Sequence, residues 1–478
     1  MSQKQEKTAC SFLTVHIPKN APDLRELTAG DELMLDSVRL VFHQMYRQLM
    51  KLWESGLEGK RKIRSGAWVP LCSEILGQLL GNSFYREVLD FMIEHKLIEE
   101  KSNAAGFQSY SPARCKKFRI PIGLFVAPKR GKLYRKEFVT NATVIKRVMK
   151  HLEKKRQEAA EELNLKENGS LAKWIRMTQD LKPVAKLVKA QKALATSEEE
   201  KELIEHFAQA HHNVWLDAFS VDDFGKRRYS HVTNLPSAYR SMNRFKGFEN
   251  SPHVNIDIRN SQPFFAGMLL KNPRCIRSVI PEFMPISKII EKHPHKSDTQ
   301  LFFHSVRNGE FYELISERAN LNLERSEIKQ RCFKAIFYGK NRIYRGTENY
   351  TELKLVRNAF QNLFPHVFET IQAIKRVDLV FMDDFYYSRK TGERLHKGAY
   401  KNLSCAMQRI ESTMVWRVND RLMKHRTIPF TNIHDSWWTP ESNESEIRKQ
   451  IEIVFRRFGV EPPQLKTTTL EITNTDKS

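Results

Sequence analysis

Cysteine is scarce in this chain of 478 residues, and it forms no recognisable disulfide or metal-binding pattern. The six cysteines stand at positions 10, 72, 115, 275, 332 and 405, without CxxC or HxxxH spacing. A disulfide framework and a structural zinc site are therefore not expected. No uninterrupted apolar run of about 18 residues occurs, so the sequence predicts no membrane span. The polar N-terminal stretch lacks the apolar core and cleavage site of a secretory signal, which predicts a cytoplasmic protein.

Acidic residues are outnumbered by basic ones. Lys and Arg total 79 and Asp and Glu total 56, a formal net charge of +23. The apolar fraction of 40% and the aromatic fraction of 10% suffice for ordinary cores, which excludes global disorder. A strongly basic protein favours a polyanionic partner, and we expect nucleic acid. A protein that is basic and merely soluble is the alternative.

The first 127 residues predict a mostly helical domain that binds nucleic acid. Residues 1 to about 30 are polar and aperiodic, which predicts an arm. Residues 68–100 predict two helices, the first burying Ile75 and Leu79, joined at Gly81-Asn82-Ser83. Two strand-like runs follow. This order is typical of a winged helix, although a helical hairpin used only for packing gives the same pattern.

The rest of the chain divides into two further regions. Residues 128–215 contain an apolar helical stripe followed by long charged helices, which predicts a connector or a thumb that grips a nucleic-acid backbone. Residues 216–478 are richer in aromatics and contain the remaining motifs. The expected domains are therefore 1–127, 128–215 and 216–478.

An aspartate occupies a short strand in the segment VNIDIRNSQPFF, residues 254–265. Alternation of Val254, Ile256 and Ile258 predicts the strand and puts Asp257 on its other face. An aspartate at a strand end can bind a metal ion, and a solvent-facing carboxylate is the alternative.

A cationic helix is predicted in ERSEIKQRCFKAIFYGKN, residues 324–341. Arg325, Lys329 and Arg331 lie within one helix length, and the segment ends at Tyr338-Gly339. Such a helix can hold a triphosphate and stack its terminal ring on a base. A basic amphipathic surface helix is the alternative.

A hairpin is predicted in IPFTNIHDSWWTP, residues 428–440, with His434-Asp435 at its tip. The preceding segment, residues 405–422, predicts a helix on which Gln408, Glu411 and Ser412 share one face. The alternative for Gln408 is an ordinary exposed polar residue.

The order of these motifs resembles that of family A polymerases. About 240 residues are similar to DNA polymerase I and to the single-subunit phage and mitochondrial RNA polymerases, and GKRRYSHVTNLP, residues 225–236, resembles their template-contacting element. The chain looks still more like phage and mobile-element proteins with an N-terminal winged helix. The resemblance implies an α+β right-hand polymerase with an antiparallel palm sheet and helical fingers and thumb.

The resemblance also implies a role for each motif residue. The implied catalytic residues are Asp257, Asp435, His434, Lys329 and Tyr338, with both aspartates as ligands of two Mg²⁺ ions that Mn²⁺ can replace. The implied nucleotide-binding residues are Arg325, Arg331 and Gly339. The implied template and primer contacts are Arg228, Thr233, Asn234 and Gln408. The implied partners are a DNA template and primer, or RNA in their place, and nucleoside triphosphates.

Two spacings differ from the DNA polymerase pattern. Lys329 precedes Tyr338 by nine residues where the family has eight, and at about 100° per residue Arg331 shares the face of Tyr338 more closely. A bulge in the helix would restore the register of Lys329. Ser261 follows Asp257 by four residues, and Ser436 follows His434-Asp435; both features are nearer to the RNA polymerases.

Three other functions remain open. A primase or single-subunit RNA polymerase is the nearest. A reverse-transcriptase-like polymerase would pair Asp257 with Asp383 and Asp384, in the segment LVFMDDFYY, 383 − 257 = 126 residues away. A replication initiator with an inactive palm would bind DNA only.

The excess of positive charge predicts how binding to DNA depends on salt concentration. We expect tight, salt-sensitive binding to primed or single-stranded DNA, because each neutralised phosphate contributes about 0.9 to the log–log salt slope on duplex DNA. Fluorescence anisotropy across a salt series measures this slope. A slope flatter than about −2 would contradict backbone binding.

Overall fold

A computed structural model describes residues 12–58, 66–101, 115–125, 133–164, 168–212, 219–292, 297–377, 385–387, 394–396, 398–424 and 428–471. The fold mixes helices and small antiparallel sheets around two large hydrophobic cores. Within these ranges no helix is both long enough and apolar enough to cross a membrane.

The N-terminal region combines two small sheets with helices. Its elements are β1 Leu13–Pro18, α1 Leu24–Leu27, α2 Glu32–Glu58, β2 Val69–Leu71, α3 Ser73–Leu80, α4 Phe84–Glu94, β3 Glu99–Glu100, β4 Lys116–Arg119 and β5 Tyr134–Val139. The expected N-terminal arm is wrong for residues 13–18, because β1 pairs with β5 and buries Val15 and Ile17. This pairing gives the strand a partner more than a hundred residues away.

Helices α3 and α4 are joined at Gly81, whose φ of +113° favours glycine. Strands β2, β4 and β3 form a three-stranded sheet beside them. The predicted helix pair is present, and so are strands near residues 97–100 and 117–126, although the second ends at Arg119 and Ile122–Phe125 forms a 3₁₀ turn. Leu79 is buried as predicted, whereas Ile75 is 39% exposed and its neighbour Leu76 is buried instead. Nucleic-acid binding by this region stays a prediction.

The middle of the chain contributes to both cores. Its elements are α5 Ala142–Glu162, α6 Gly169–Gln179, β6 Leu181–Pro183, α7 Ala185–Leu194 and α8 Glu198–His212. Val144 of α5 and Ile204 of α8 pack into the N-terminal core, whereas Trp174 of α6 packs into the C-terminal core. The 128–215 segment thus ties the two cores together.

The C-terminal region begins with short elements and a central strand. They are β7 Ser220–Val221, β8 Arg228–Tyr229, α9 Ser237–Arg240, β9 Asn243–Phe245, β10 His253–Ile258, α10 Ser261–Lys271, α11 Pro273–Val279, α12 Met284–Lys292, α13 Ser297–Arg307 and α14 Phe311–Ala319. The next are α15 Arg325–Cys332, α16 Tyr350–Leu363, α17 Pro365–Ile374, β11 Phe385–Tyr387 and β12 Arg394–His396. The last are α18 Asn402–Leu422, β13 Thr431–Ile433, β14 Ser436–Pro440, α19 Glu444–Arg457 and β15 Leu465–Thr469.

A four-stranded antiparallel sheet organises this region, with strand order β13-β14-β10-β15. Helices α10, α18 and α19 belong to one core with the sheet, into which Ile256, Phe264 and Trp437 are completely buried. Burying a large side chain contributes roughly 1.5–3 kcal/mol. The central strand β10 is therefore held on both edges and on one face.

Two cysteines that are far apart in sequence meet in the N-terminal sheet. Leu71 of β2 pairs with Lys116 of β4, so the next residues in register are Cys72 and Cys115, whose thiols hydrogen-bond. Opposed residues of antiparallel strands have Cα atoms roughly 4.5–5.5 Å apart, which is within the range of a disulfide. Cys115 is exposed, and Cys332 and Cys405 are buried.

We expect oxidised glutathione to convert Cys72 and Cys115 into an intrachain disulfide by thiol–disulfide exchange, releasing two molecules of glutathione. The product should lose two hydrogen atoms in mass and unfold at a higher temperature, because the bond closes a long loop. Cys115→Ser should remove both changes. A disulfide mapped to any other pair would contradict this geometry.

Candidate active site

The two candidate carboxylates lie at the same end of the central sheet. Asp257 of β10 pairs with Ser436 of β14, and Asp435 directly precedes Ser436. The backbone N–H of Ile258 donates to the carbonyl oxygen of Asp435 at 3.4 Å. Two aspartates 178 residues apart in sequence (435 − 257) are thereby brought to adjacent positions.

The hairpin between β13 and β14 has a two-residue turn. Ile433 pairs with Ser436, which leaves His434 and Asp435 as its central residues, as the sequence predicts. His434 has a φ of +52°, a conformation that tight hairpin turns need and that non-glycine residues rarely adopt. Burial lowers the pKa of His434, so its imidazole is neutral at pH 7, and its ring lies 5.2 Å from that of Tyr229. Asp435 therefore lies in a turn whose backbone is strained at His434.

Burial and the nearby charge of Asp435 raise the pKa of Asp257 to about 7, against the opposing effect of Lys329, Lys466 and Arg240. Among the described residues, no salt bridge or side-chain hydrogen bond joins either aspartate to a partner. No cluster of three or more His, Cys, Asp or Glu suited to a metal occurs in those residues. Two half-buried carboxylates without a counter-ion fit Mg²⁺, which keeps water and phosphate oxygens as its other ligands.

The cationic helix contains the bulge that its spacing requires. Helix α15 continues as one π-helical turn, Phe333–Phe337, closed by a hydrogen bond of 2.8 Å from the N–H of Tyr338 to the carbonyl of Phe333. A π turn inserts an extra residue into the helical repeat. Lys329 is exposed and its charge acts on Asp257, and its role toward a nucleotide stays a prediction.

Arg331 takes a different role from the one its spacing suggests. Its guanidinium is buried and forms an ion pair with Glu352 of α16 at 2.5 Å. This ion pair competes with the predicted contact between Arg331 and a triphosphate, which stays a prediction. Arg325 lies nearer the site, donating to Asn260 at 2.9 Å and pairing with Glu313 at 2.6 Å.

Two cationic side chains that the sequence analysis did not identify bind backbone carbonyls at the end of this helix. Lys375 donates to the carbonyls of Ile336 and Gly339, and burial lowers its pKa to about 7. Arg357 donates to the carbonyl of Ala335 at 2.7 Å. A Cβ on Gly339 would lie 1.8 Å from the carbonyl oxygen of Lys334, so only glycine fits there.

A buried hydrogen-bond network connects Tyr338 to helix α18. The Tyr338 hydroxyl donates to Oε1 of Gln262 at 2.8 Å, and Nε2 of Gln262 donates to Glu411. Arg227 donates to Glu411 at 2.7 Å and Ser261 donates at 3.1 Å. Burial and Asp435 raise the pKa of Glu411 to about 7.

Sequence reasoning missed the roles of Glu411 and Gln262 in this network. The available signal was the face that Glu411 shares with Gln408, which also hydrogen-bonds to Tyr338. Burial raises the pKa of Tyr338 to about 12, so its hydroxyl stays protonated. A Cβ on Gly225 would lie 2.6 Å from Oε1 of Gln408, so the glycine allows this close packing.

The predicted template contacts are distributed around the network. The guanidinium of Arg228 stacks 3.5 Å over the ring of Trp416, and burial lowers its pKa to about 10. The charge of its neighbour Arg227 interacts with that of Asp435. Thr233 donates to the carbonyl of Ser230 at 2.8 Å, and Asn234 is exposed. Contacts of these residues with a template stay predictions, and Asp383 and Asp384 lie outside the described residues.

The shifted pKa of Asp257 predicts a pH-dependent stability. The folded state retains a proton that the unfolded chain releases near pH 4, so this contribution to the free energy of unfolding is present below about pH 4 and lost as the pH rises through about 7. Without divalent cations, Asp257→Asn should therefore raise Tm by a few degrees at pH 8, and by much less near pH 4.5.

Differential scanning fluorimetry in the presence of EDTA measures the change in Tm at pH 8 and near pH 4.5. Asp223→Asn is the matched control, because the side chain of Asp223 is 86% exposed and lies outside this pair. An equal gain for Asp257→Asn at both pH values would assign the effect to packing instead of charge.

No family model matches the chain, and no curated protein sequence matches it. Among solved structures, the chain is similar to the POL domain of Pol1 from M. smegmatis in complex with DNA primer-template and dNTP. The sequence identity is 10% and the TM-score is 0.35. The match covers 66% of this chain and 65% of that chain, so this chain spans slightly less than two thirds of that domain.

Proposed function

We propose that the chain is a template-directed nucleotidyltransferase, specifically a DNA polymerase, that adds nucleotides to a 3′-hydroxyl. The observation that carries this proposal is the pair Asp257 and Asp435, two unpaired carboxylates at adjacent strand ends with the cation Lys329 beside them. Phosphoryl and nucleotidyl transfer depend mainly on positioning and on neutralising charge. The two carboxylates would supply the positioning, and Lys329 would supply the neutralising charge.

In this proposal the four-stranded sheet is the palm, α15 and α16 belong to the fingers, and the helices between residues 142 and 212 form the thumb. The antiparallel order β13-β14-β10-β15 supports a palm, because it puts both aspartates on one sheet end. The helix that bears Lys329 and Tyr338 faces the same end, since Lys329 acts on Asp257 and Tyr338 contacts Gln262.

Each side chain then has a defined task. Two Mg²⁺ ions, or Mn²⁺ in their place, would be held by Asp257 and Asp435 and would supply Lewis-acid charge at the reacting phosphate. Nζ of Lys329 neutralises the triphosphate and can give a proton to the departing pyrophosphate. Arg325 adds a second cation at the same helix. His434 fixes the turn that carries Asp435, and the basic surface holds the template and primer.

One alternative activity has specific support. Ser261 donates to Glu411, and Ser436 follows the His434-Asp435 turn. Both serines stand at the spacings that resemble single-subunit RNA polymerases. A primase or RNA polymerase is therefore the second candidate, and it uses the same two carboxylates. Assays with each nucleotide set on primed and unprimed templates distinguish the two.

The assignment of the second carboxylate is tested by Asp435→Asn. This change keeps the side-chain volume and removes the charge, so nucleotide addition should fall by about 10³-fold or more while folding and DNA binding persist. Primer extension measures the rate. Asp223→Asn, a change of the same kind at an exposed position, should leave the rate unchanged.

The double change Asp383→Asn, Asp384→Asn tests the reverse-transcriptase alternative. We expect it to lower the rate by less than about tenfold, because in the proposed function neither carboxylate holds a metal ion. An inactive double variant together with an active Asp435→Asn protein would reverse the assignment. A folded wild-type chain that binds DNA without any metal-dependent extension would instead favour an initiator with an inactive palm.

A further inference from the structure

A row of cations and tyrosines lies on the surface just beyond Tyr338-Gly339. Lys340 is 5.9 Å from the ring of Tyr344 and 6.0 Å from that of Tyr400. Arg342 lies 5.9 Å from Tyr344, and Lys401 lies 5.4 Å from Tyr400. We call these five residues the 340–401 ladder, in which cations and aromatic rings alternate.

Three of the five ladder residues are exposed to solvent, and Tyr400 and Lys401 are half-buried. Tyr344 is 56% exposed, and Lys340 and Arg342 are exposed. Within the described part of the chain, no acidic side chain forms a salt bridge with Lys340 or Arg342; the nearby ion pairs are those of Lys334 and Arg331. Positive charge and π faces are therefore both available to a ligand.

The backbone beneath the ladder is held in place. Arg357 donates to the carbonyls of Asn341 at 2.6 Å and Lys340 at 2.9 Å, and Lys375 donates to Gly339 at 2.9 Å. The N–H of Thr347 donates to the carbonyl of Tyr344 at 2.9 Å. A surface that is already ordered loses less conformational entropy when a ligand binds.

We propose that the 340–401 ladder binds single-stranded nucleic acid, with bases stacked on Tyr344 and Tyr400 and phosphates held by Lys340 and Arg342. Alternating rings and cations match the alternating bases and phosphates of an unpaired strand. A duplex hides its base faces, so the rings discriminate against it. The ladder begins two residues after Tyr338, and, resting on the proposed function, the bound strand is the unpaired template ahead of the synthesis site.

The test compares a labelled primer–template carrying a single-stranded 5′ overhang with a blunt duplex, by anisotropy with the full chain. Tyr344→Ala with Tyr400→Ala should weaken overhang binding by about tenfold or more and leave blunt-duplex binding within about twofold. Tyr344→Phe with Tyr400→Phe retains the rings and should bind as the wild type does. Circular dichroism verifies the fold of each variant.

Charge is tested separately from stacking. Lys340→Gln should reduce the magnitude of the log–log salt slope for a single-stranded oligonucleotide by roughly 0.7, the value for one lost phosphate contact. Lys288→Gln, the same change at an exposed position on α12, is the matched control and should leave the slope unchanged. Deoxy and ribo oligonucleotides of one sequence distinguish a DNA strand from an RNA strand as the ligand.

Three results would overturn the proposal: unchanged overhang affinity in the double Ala variant, an equal loss on blunt duplex, or an unchanged slope for Lys340→Gln. None of these measurements needs catalysis. A chain that binds overhangs through the ladder but adds no nucleotide would therefore disprove the proposed function and leave the ladder intact.

Discussion

The C-terminal region holds two like charges close together, and no described residue forms a salt bridge with either of them. Separately, Asp257 on a strand and Asp435 in a turn would be unremarkable. Burial opposes the ionisation of Asp257, and the charge of Asp435, its neighbour in the β10–β14 register, adds to this cost. The surrounding cations offset part of it, and a bound divalent ion would offset the rest. Without that ion, the buried and adjacent carboxylates lower the stability of the folded protein at neutral pH.

Glu411 shows that burial alone does not make a carboxylate a cation site. Burial raises its pKa to about 7, as it does for Asp257. The difference lies in the donors: Arg227, Ser261 and Gln262 all donate to Glu411, whereas no described side chain donates to Asp257. A carboxylate whose lone pairs are occupied orients its neighbours. One whose lone pairs are open can take a ligand.

Local patterns predicted the parts of the site whose geometry is local. Alternation of apolar residues identified the strand of Asp257, and the apolar runs around His434-Asp435 identified the hairpin. Helical periodicity at 100° per residue favoured Arg331 over Lys329, whereas in the structure Arg331 pairs with Glu352 and the charge of Lys329 acts on Asp257. The π turn depends on tertiary contacts: Lys375 and Arg357 take up carbonyls at its end, and Glu352 draws Arg331 away. No spacing within the helix encodes those partners.

The strands of the N-terminal region also depend on contacts between residues that are distant in sequence. The helices and the turn at Gly81 followed from local residues, but β1 did not, because its partner β5 lies far along the chain. A short strand is stabilised mainly by its cross-strand pairs, so a six-residue run without a visible partner looks like an arm. The meeting of Cys72 and Cys115 is another result of pairing between distant segments, in β2 and β4.

The segment after the π turn joins the interior of the site to its surface. Tyr338 points inward to Gln262, and six residues later Tyr344 is more than half exposed. Lys375 and Arg357 hold the backbone between them by its carbonyl groups, which leaves the side chains of Lys340 and Arg342 free to face solvent. Because one rigid segment fixes both tyrosines, a strand held at the outer ring would have a set distance to the inner one. Under the proposed function, that fixed distance would bring each template base to the carboxylates in register.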